Sequence, residues 1–235
     1  EFSLSVLCAV ATEVDEDVRL TIARLRTGEF LYEQPTLPRN LHVFKHALTQ
    51  EVAYGSILTE RRAEIHERTA QALEAVHSAH LEDHYSELAH HYGQSRDMHK
   101  AVTYLHLAGQ QAVQRSANAE AIQYLTQGID LLQTQPQSTE HTQQELDLRV
   151  ALATPLVALR GYIEPEVEQN YQRALELCRQ AGETPQLFLV LFGLWRGALV
   201  RGENQAEYDL ADQCLRFAQD EDDPNILVPA HLMMG

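Results

Sequence analysis

Apolar positions recur at helical spacing in two short segments near the start of the chain, 3–11 and 15–27. In the second, Val18, Ile22 and Leu25 fall three or four apart, Asp15, Glu16 and Asp17 fill the first turn, and Gly28 stands just past the end. Pattern, dipole complement and stop signal therefore agree on a helix. The period then changes. Phe30-Leu31-Tyr32 and Leu41-His42-Val43-Phe44 are short β-type runs separated by a turn segment with Pro35, Pro38 and Asn40. A further helix is expected from about His46.

Helices, a small two-stranded wing and another helix are the order of a winged-helix module, expected over residues 1–58. From Thr59 the pattern is helical to the end. One stripe is Ile65, Thr69, Ala72, Leu73 and Val76; the next are Met98, Ala101, Val102, Leu105 and Ala108, then Ile122, Leu125, Ile129 and Leu132. Two more follow, from Val167 to Cys178 and from Leu210 to Ala218, each with polar residues opposite, so each helix has one face in need of a partner. Leu187–Val200 is apolar nearly all round, as expected of a helix packed on two sides, and Thr134–Thr139 reads as an exposed connection. Leu88, Ala89 and Tyr92 followed by Ala101, Leu105 and Ala108 fit tetratricopeptide spacing, where small residues let two antiparallel helices approach. Weaker echoes are Ala121/Leu125/Gly128, Ala174/Cys178/Ala181 and Trp195 with Ala211/Leu215/Ala218. Positions 101 and 121 are 20 apart, so the array is irregular. The expected fold is mainly α: a winged-helix module with a small β-wing, then an irregular TPR-like helical-repeat array over 59–235.

The chain has 235 residues, 44% of them hydrophobic, enough for one or two domains with real cores. Its formal charge of −16, from 34 acidic and 18 basic residues, repels nucleic acid and anionic lipid at long range. Cys8, Cys178 and Cys214 are odd in number, widely spaced and form no CxxC pair, which suits a reducing cytoplasm. Leu4–Ala11 lacks the basic flank of a signal peptide, and Leu187–Val200 is short for a membrane span and interrupted by Arg196. Neither nucleic acid nor membrane is expected as a partner. The start at Glu1 without Met, and the stop directly after the apolar run His231–Met234, read as an excerpt of a longer protein.

No enzyme signature is found. No two glycines lie within two positions of each other, and neither lysine, Lys45 or Lys100, belongs to a GxxxxGK[ST] loop. His66-Glu67 begins an HExxH match, but Ala70 stands where the second ligand is required. His80, His84, Glu87, His90 and His91 have a spacing that could set ligands on one helix face, yet nothing distant completes a tetrahedral site, and surface histidines are expected. The acid runs Asp15–Asp17 and Asp220–Asp223 lack the glycine and terminal glutamate of a calcium loop. No metal and no catalytic residue is expected.

The stretch Val43-Phe44-Lys45-His46-Ala47-Leu48-Thr49-Gln50-Glu51-Val52-Ala53-Tyr54, with Glu1-Phe2-Ser3 before it and Arg61-Arg62 and His66 after it, resembles the winged-helix module of bacterial STAND/AAA-type signalling ATPases. Arg115–Ala121, and Gly161-Tyr162 followed by Pro165–Glu168, are similar to the helical-repeat region of the same proteins. In that group the ATPase often follows a class III adenylate/guanylate cyclase domain. The resemblance implies that ATP or ADP is held by a nucleotide-binding domain upstream of Glu1, and that this stretch holds no cofactor. It implies a regulatory and protein-interaction scaffold whose partners are that upstream domain and an unidentified protein or small-molecule effector on the repeats. In related ATPases a histidine at the start of the last helix of the module touches the ADP β-phosphate; the matching position is His46. An aspartate often follows that histidine, and here Ala47 does. The alternative is a DNA-binding transcriptional regulator of the winged-helix plus TPR type. Its reading helix would be 15–27, where Arg19, Arg24 and Arg26 stand against three acids.

Overall fold

The structure, a computed structural model, describes residues 2–11, 14–34, 41–182, 185–221 and 223–234. Glu1, the turn residues Pro35, Pro38 and Asn40, and Asp222 lie outside the described residues. Among the described residues, twelve α-helices, one 3-10 helix and a small antiparallel sheet make a mainly α fold with a β-wing. The chain divides into two compact units, Glu1–Tyr104 and Leu105–Gly235.

The first unit runs β1 (Phe2–Ser3), α1 (Leu4–Val10), α2 (Asp15–Thr27), β2 (Leu31–Gln34), β3 (Leu41–Phe44), α3 (Ala47–Gly55), α4 (Thr59–Val76), a 3-10 helix (Leu81–His84), α5 (Tyr85–Gly93) and the first part of α6 (Met98–Gln114). The opening helix is shorter than its pattern, because residues 2–3 pair as a third strand and the Ser3 hydroxyl then caps α1 by accepting from Val6 N at 3.3 Å. The sheet order is β1–β3–β2, with Phe2 opposite His42 and Leu31 opposite Phe44. The α2 helix ends where Phe30 N donates to Leu25 O at 2.9 Å, and the left-handed residue of that closure is Glu29 (φ 59°), not Gly28 (φ −78°). Val6, Val18, Ile22 and Leu31 form the small core of this module.

The α4 helix packs on both α1 and α5, and Arg68 Nη2 donates to the Val10 carbonyl. The helical segment that begins at Thr59 is thus built into the same compact unit as the wing, a unit that extends to Tyr104. Its inward face keeps Ala72 and Leu73 of the stripe read from the sequence but not the rest. His66, Ala70, Ala72 and Leu73 are buried, because a histidine and small alanines face the packed helices while Ile65 and Val76 sit at the margin. At the far end, the Glu74 carboxylate accepts from Tyr92 Oη at 2.8 Å, Tyr104 Oη at 2.6 Å and Lys100 Nζ at 2.7 Å.

In the second unit α7 (Asn118–Gln133), α8 (Thr139–Arg160), α9 (Pro165–Ala181), α10 (Gln186–Arg201), α11 (Asn204–Glu221) and α12 (Pro224–Met233) each pack chiefly on their sequence neighbours. Such nearest-neighbour stacking is how helical repeats bury one-sided faces. The α10 helix lies against α9 and α11, as its all-round apolar character requires, and its Gly193 admits the Tyr171 ring of α9. The α8 helix has no one-sided stripe, since Leu146, Leu148, Leu152 and Leu156 are buried around its circumference. Beside them, the buried Glu145 carboxylate accepts from Arg149 Nε at 2.8 Å and from Arg173 Nε and Nη2 at 3.0 Å each. Burial raises its pKa, but the two guanidiniums outweigh that and hold it below the usual carboxylate range.

Candidate functional site

His46 is the N-cap residue of α3, in extended backbone (φ −131°, ψ 128°) directly after the second wing strand. Its carbonyl accepts from Thr49 N at 3.0 Å, while its imidazole is exposed and makes no capping hydrogen bond. Lys45 anchors the entry to α3: its N–H donates to Phe30 O at 2.9 Å and its ammonium meets Glu29 Oε2 at 2.6 Å. That hydrogen bond, with the charges of Lys45 and His46, lowers the Glu29 pKa. The first N–H groups of a helix have no intrahelical partner and attract anions. The start of α3 therefore offers backbone donors, a lysine and an imidazole on an accessible surface.

The α3 helix itself contains no buried residue. Leu48 (69% exposed) and Val52 (65%) lie four apart on one helical face, and Leu58 just beyond is 80% exposed. The helix is held from its other end. Arg62 Nε donates to Ile57 O at 2.8 Å and Nη2 to Gly55 O at 2.9 Å, satisfying carbonyls where the helix dipole favours a cation. The guanidinium also covers the Tyr54 ring at 4.6 Å.

Between α3, α4 and α5 opens a cleft of about 600 Å³, lined among others by Gln50, Tyr54, Arg62, His66, His90 and His91. The Tyr54 hydroxyl and His66 Nε2 are 3.0 Å apart, and His66 Nδ1 lies 2.9 Å from His91 Nδ1. One proton must sit between the two imidazoles. If His66 donates it, Nε2 of His66 accepts from Tyr54; if His91 donates it, His66 Nε2–H donates to the phenol oxygen. Burial first, then the charge of His90, lowers the His66 pKa. Burial and the charges of His66 and His90 bring His91 down to about 4.

The metal spacing read from the sequence is taken apart. His80 precedes the 3-10 helix, His84 closes it and α5 begins at Tyr85, so the five residues do not share a helix face. His84 pairs with Glu87 at 3.3 Å and stacks on His77, whereas His90 and His91 turn to His66. With ring centroids 5.0 Å apart and Nδ1 atoms 2.9 Å apart, His66 and His91 lie nearly end to end. That is the geometry of an N–H···N bond, not of two lone pairs converging on one ion. Among the described residues no group of three or more His, Cys, Asp or Glu could hold a metal. The acid run 220–223 ends α11 and starts α12, where the Asp223 carboxylate accepts from Asn225 N at 2.9 Å.

Sequence reasoning singled out His46, and it named Tyr54, Arg62 and His66 for the resemblance and His90 and His91 for their spacing, but it did not bring Tyr54, Arg62, His66 and His91 together in one site. Of the α2 arginines, Arg26 is paired with Glu33 at 2.8 Å, and Asp15, Glu16 and Asp17 occupy the first turn of that helix. No described helix is long and apolar enough to cross a membrane.

No family model matches the chain, and no solved structure matches it. It is 27% identical over 159 residues to an uncharacterized protein of Rhizobium meliloti (strain 1021). The match covers 67% of this chain, which spans only 16% of that relative's length.

Proposed function

We propose that this chain is the regulatory and protein-interaction scaffold of a larger nucleotide-driven signalling ATPase of the STAND type. The observation that carries the reading is α3, a helix with no buried residue whose Leu48 and Val52 face solvent and whose N-terminus presents His46. An upstream nucleotide-binding domain resting on that face would bury the apolar pair and set His46 against the ADP phosphate, where helix N–H groups and an imidazole favour an anion. The stacked helices of the second unit are the surface on which an effector or partner protein is captured. That the chain spans a small share of its relative is in keeping with a module working inside a longer protein. The fragment has no catalytic role in this reading, and the parent works in the cytoplasm, in keeping with three cysteines that form no disulfide. Nucleic-acid binding by α2 is disfavoured, since phosphate affinity needs a basic face and this helix opens on three acids.

The test is His46→Ala in the longer protein. A hydrogen bond to phosphate made only in the closed state contributes roughly 1.5–3 kcal/mol, so its loss shifts that equilibrium by about tenfold or more. ADP release is expected to quicken and basal output to rise by that factor, while the melting temperature of the 235-residue chain stays unchanged. Equal ADP release and equal basal output in both proteins refute the nucleotide contact.

A further inference from the structure

The cleft between α3, α4 and α5 is set apart from the rest of the molecule by its charge. In a chain of formal charge −16, no carboxylate among the described residues lines it. Its polar lining offers the Arg62 guanidinium, the amides of Gln50 and Gln94 and the imidazoles of His90 and His91, while the Thr69 hydroxyl donates to Ile65 O at 2.8 Å and His66 is engaged by Tyr54 and His91. The nearby acids are engaged elsewhere or lie outside the lining. Glu64 pairs with Arg61 at 2.7 Å, Glu67 accepts from Gln71 at 3.4 Å and Glu87 faces His84 at 3.3 Å. Glu51 of α3 and Glu82 and Asp83 of the 3-10 helix are exposed and outside the lining, and α1, the other helix packed on α4, has no charged residue. The apolar part of the lining is Ile57, Ile65 and the Tyr54 ring. A volume of about 600 Å³ lies in the range of small-molecule sites.

We propose that this cleft binds a small aromatic oxyanion, its phosphate or carboxylate group held by Arg62, His90 and His91 and its ring laid on Ile57 and Ile65 beside Tyr54. Arg62 spends Nε and Nη2 on the Ile57 and Gly55 carbonyls, which fixes the plane of its guanidinium and leaves Nη1 for an anion. His91 is held by His66, and His66 by Tyr54, so the imidazole is oriented before any ligand arrives. The pair takes up one proton and not two, because two protonated rings would set N–H against N–H across 2.9 Å. In the empty cleft that proton is resisted by burial and by the neighbouring imidazoles; a bound anion offsets both. Binding is therefore linked to uptake of a single proton. Gln50 and Tyr54 belong to α3, so occupancy of the cleft also braces that helix. The inference stands independently of the nucleotide contact proposed for His46.

The experiment titrates the chain by calorimetry with phenyl phosphate, benzoate, inorganic phosphate and benzyl alcohol, at about pH 6 and about pH 7.5. Phenyl phosphate or benzoate is expected to bind more tightly than both inorganic phosphate and benzyl alcohol, and which of the two binds better identifies the oxyanion. Affinity for benzoate, which stays ionised across this range, should rise as pH falls, by at most about tenfold per unit, the limit for one proton. His90→Gln, an exposed position, should weaken binding severalfold, and His91→Gln should reduce the pH dependence of benzoate binding. The imidazole NMR signals of the wild-type chain supply a readout that needs no variant to fold: those of His90 and His91 must move with phenyl phosphate or benzoate. Equal affinity for charged and uncharged rings, no binding at about 10 mM, or signal changes confined to other histidines overturns the proposal.

Discussion

Glu74→Gln probes the polar cluster that ties α4 to α5 and to the start of α6. In the native chain Oε2 accepts from Tyr92 and Lys100, and Oε1 from Tyr104. The two phenol rings are stacked with centroids 5.3 Å apart and planes within 2°, so they cannot swing away independently. The amide keeps the shape and one acceptor oxygen, but its NH₂ group cannot accept and the Lys100 charge is left unmatched. A hydrogen bond to a charged group contributes about 1.5–3 kcal/mol when shielded. The Lys100 side chain is 39% exposed, which reduces its share to the surface range of about 0–1 kcal/mol. Tyr92 and Tyr104 are 0% and 7% exposed, so the phenol bonds keep most of their value. The expected loss is about 2 kcal/mol, or a fall of roughly 4–8 °C in a chain of this size. The sign with pH is fixed by the carboxyl. Burial raises its pKa, and the bonds from Lys100, Tyr104 and Tyr92 more than reverse this, so the folded value is below the ordinary one. That contribution is present above the ordinary glutamate pKa and is lost as pH falls through the folded value. Thermal melts followed by circular dichroism should show the full gap between native and variant at neutral pH and a closing gap in acid. Equal midpoints at pH 7, or a gap that does not narrow in acid, refute the reasoning.

Two backbone positions give further tests. Ser116 is exposed with φ 58° and sits where Ala117 N closes α6 by donating to Ala112 O at 2.9 Å. Ser116→Gly relieves the left-handed strain and is expected to stabilise by roughly 0.5–1 kcal/mol, read as a higher melting midpoint. Gly193→Ala gains about 1 kcal/mol of helix propensity, but its Cβ would lie 2.2 Å from the Tyr171 ring. Overpacking of this kind costs about 1–3 kcal/mol, so a net loss of stability is expected, and a raised midpoint would show that the α9–α10 contact is looser than described.

Much of the local structure was legible in the residues themselves. The α2 helix runs from Asp15 to Thr27 and β3 from Leu41 to Phe44 as their patterns predict, because capping acids, helical spacing and β-type runs act over a few neighbouring residues. The mainly α fold with a small wing follows from the same local signals. The α8 helix was less visible as an amphipathic element, since burial on several sides erases the one-sided stripe by which helices are recognised, and Pro155 interrupts the usual helix composition.

The residues of the cleft were noticed one by one, but their meeting was not legible. Tyr54 and His91 are 37 positions apart, and periodicity counts each histidine as a polar surface residue. Only the packing of α4 on α1 and α5 turns His66 inward, which is also why the buried face of α4 keeps Ala72 and Leu73 of the expected stripe but adds His66 and Ala70 in place of Ile65 and Val76. Glu74 likewise gains its three donors from residues 18, 26 and 30 positions away. The sequence by itself determined where helices and strands form, because propensity and capping are short-range. The tertiary structure decided which polar groups meet, because desolvation and hydrogen-bond geometry depend on neighbours that no local pattern specifies.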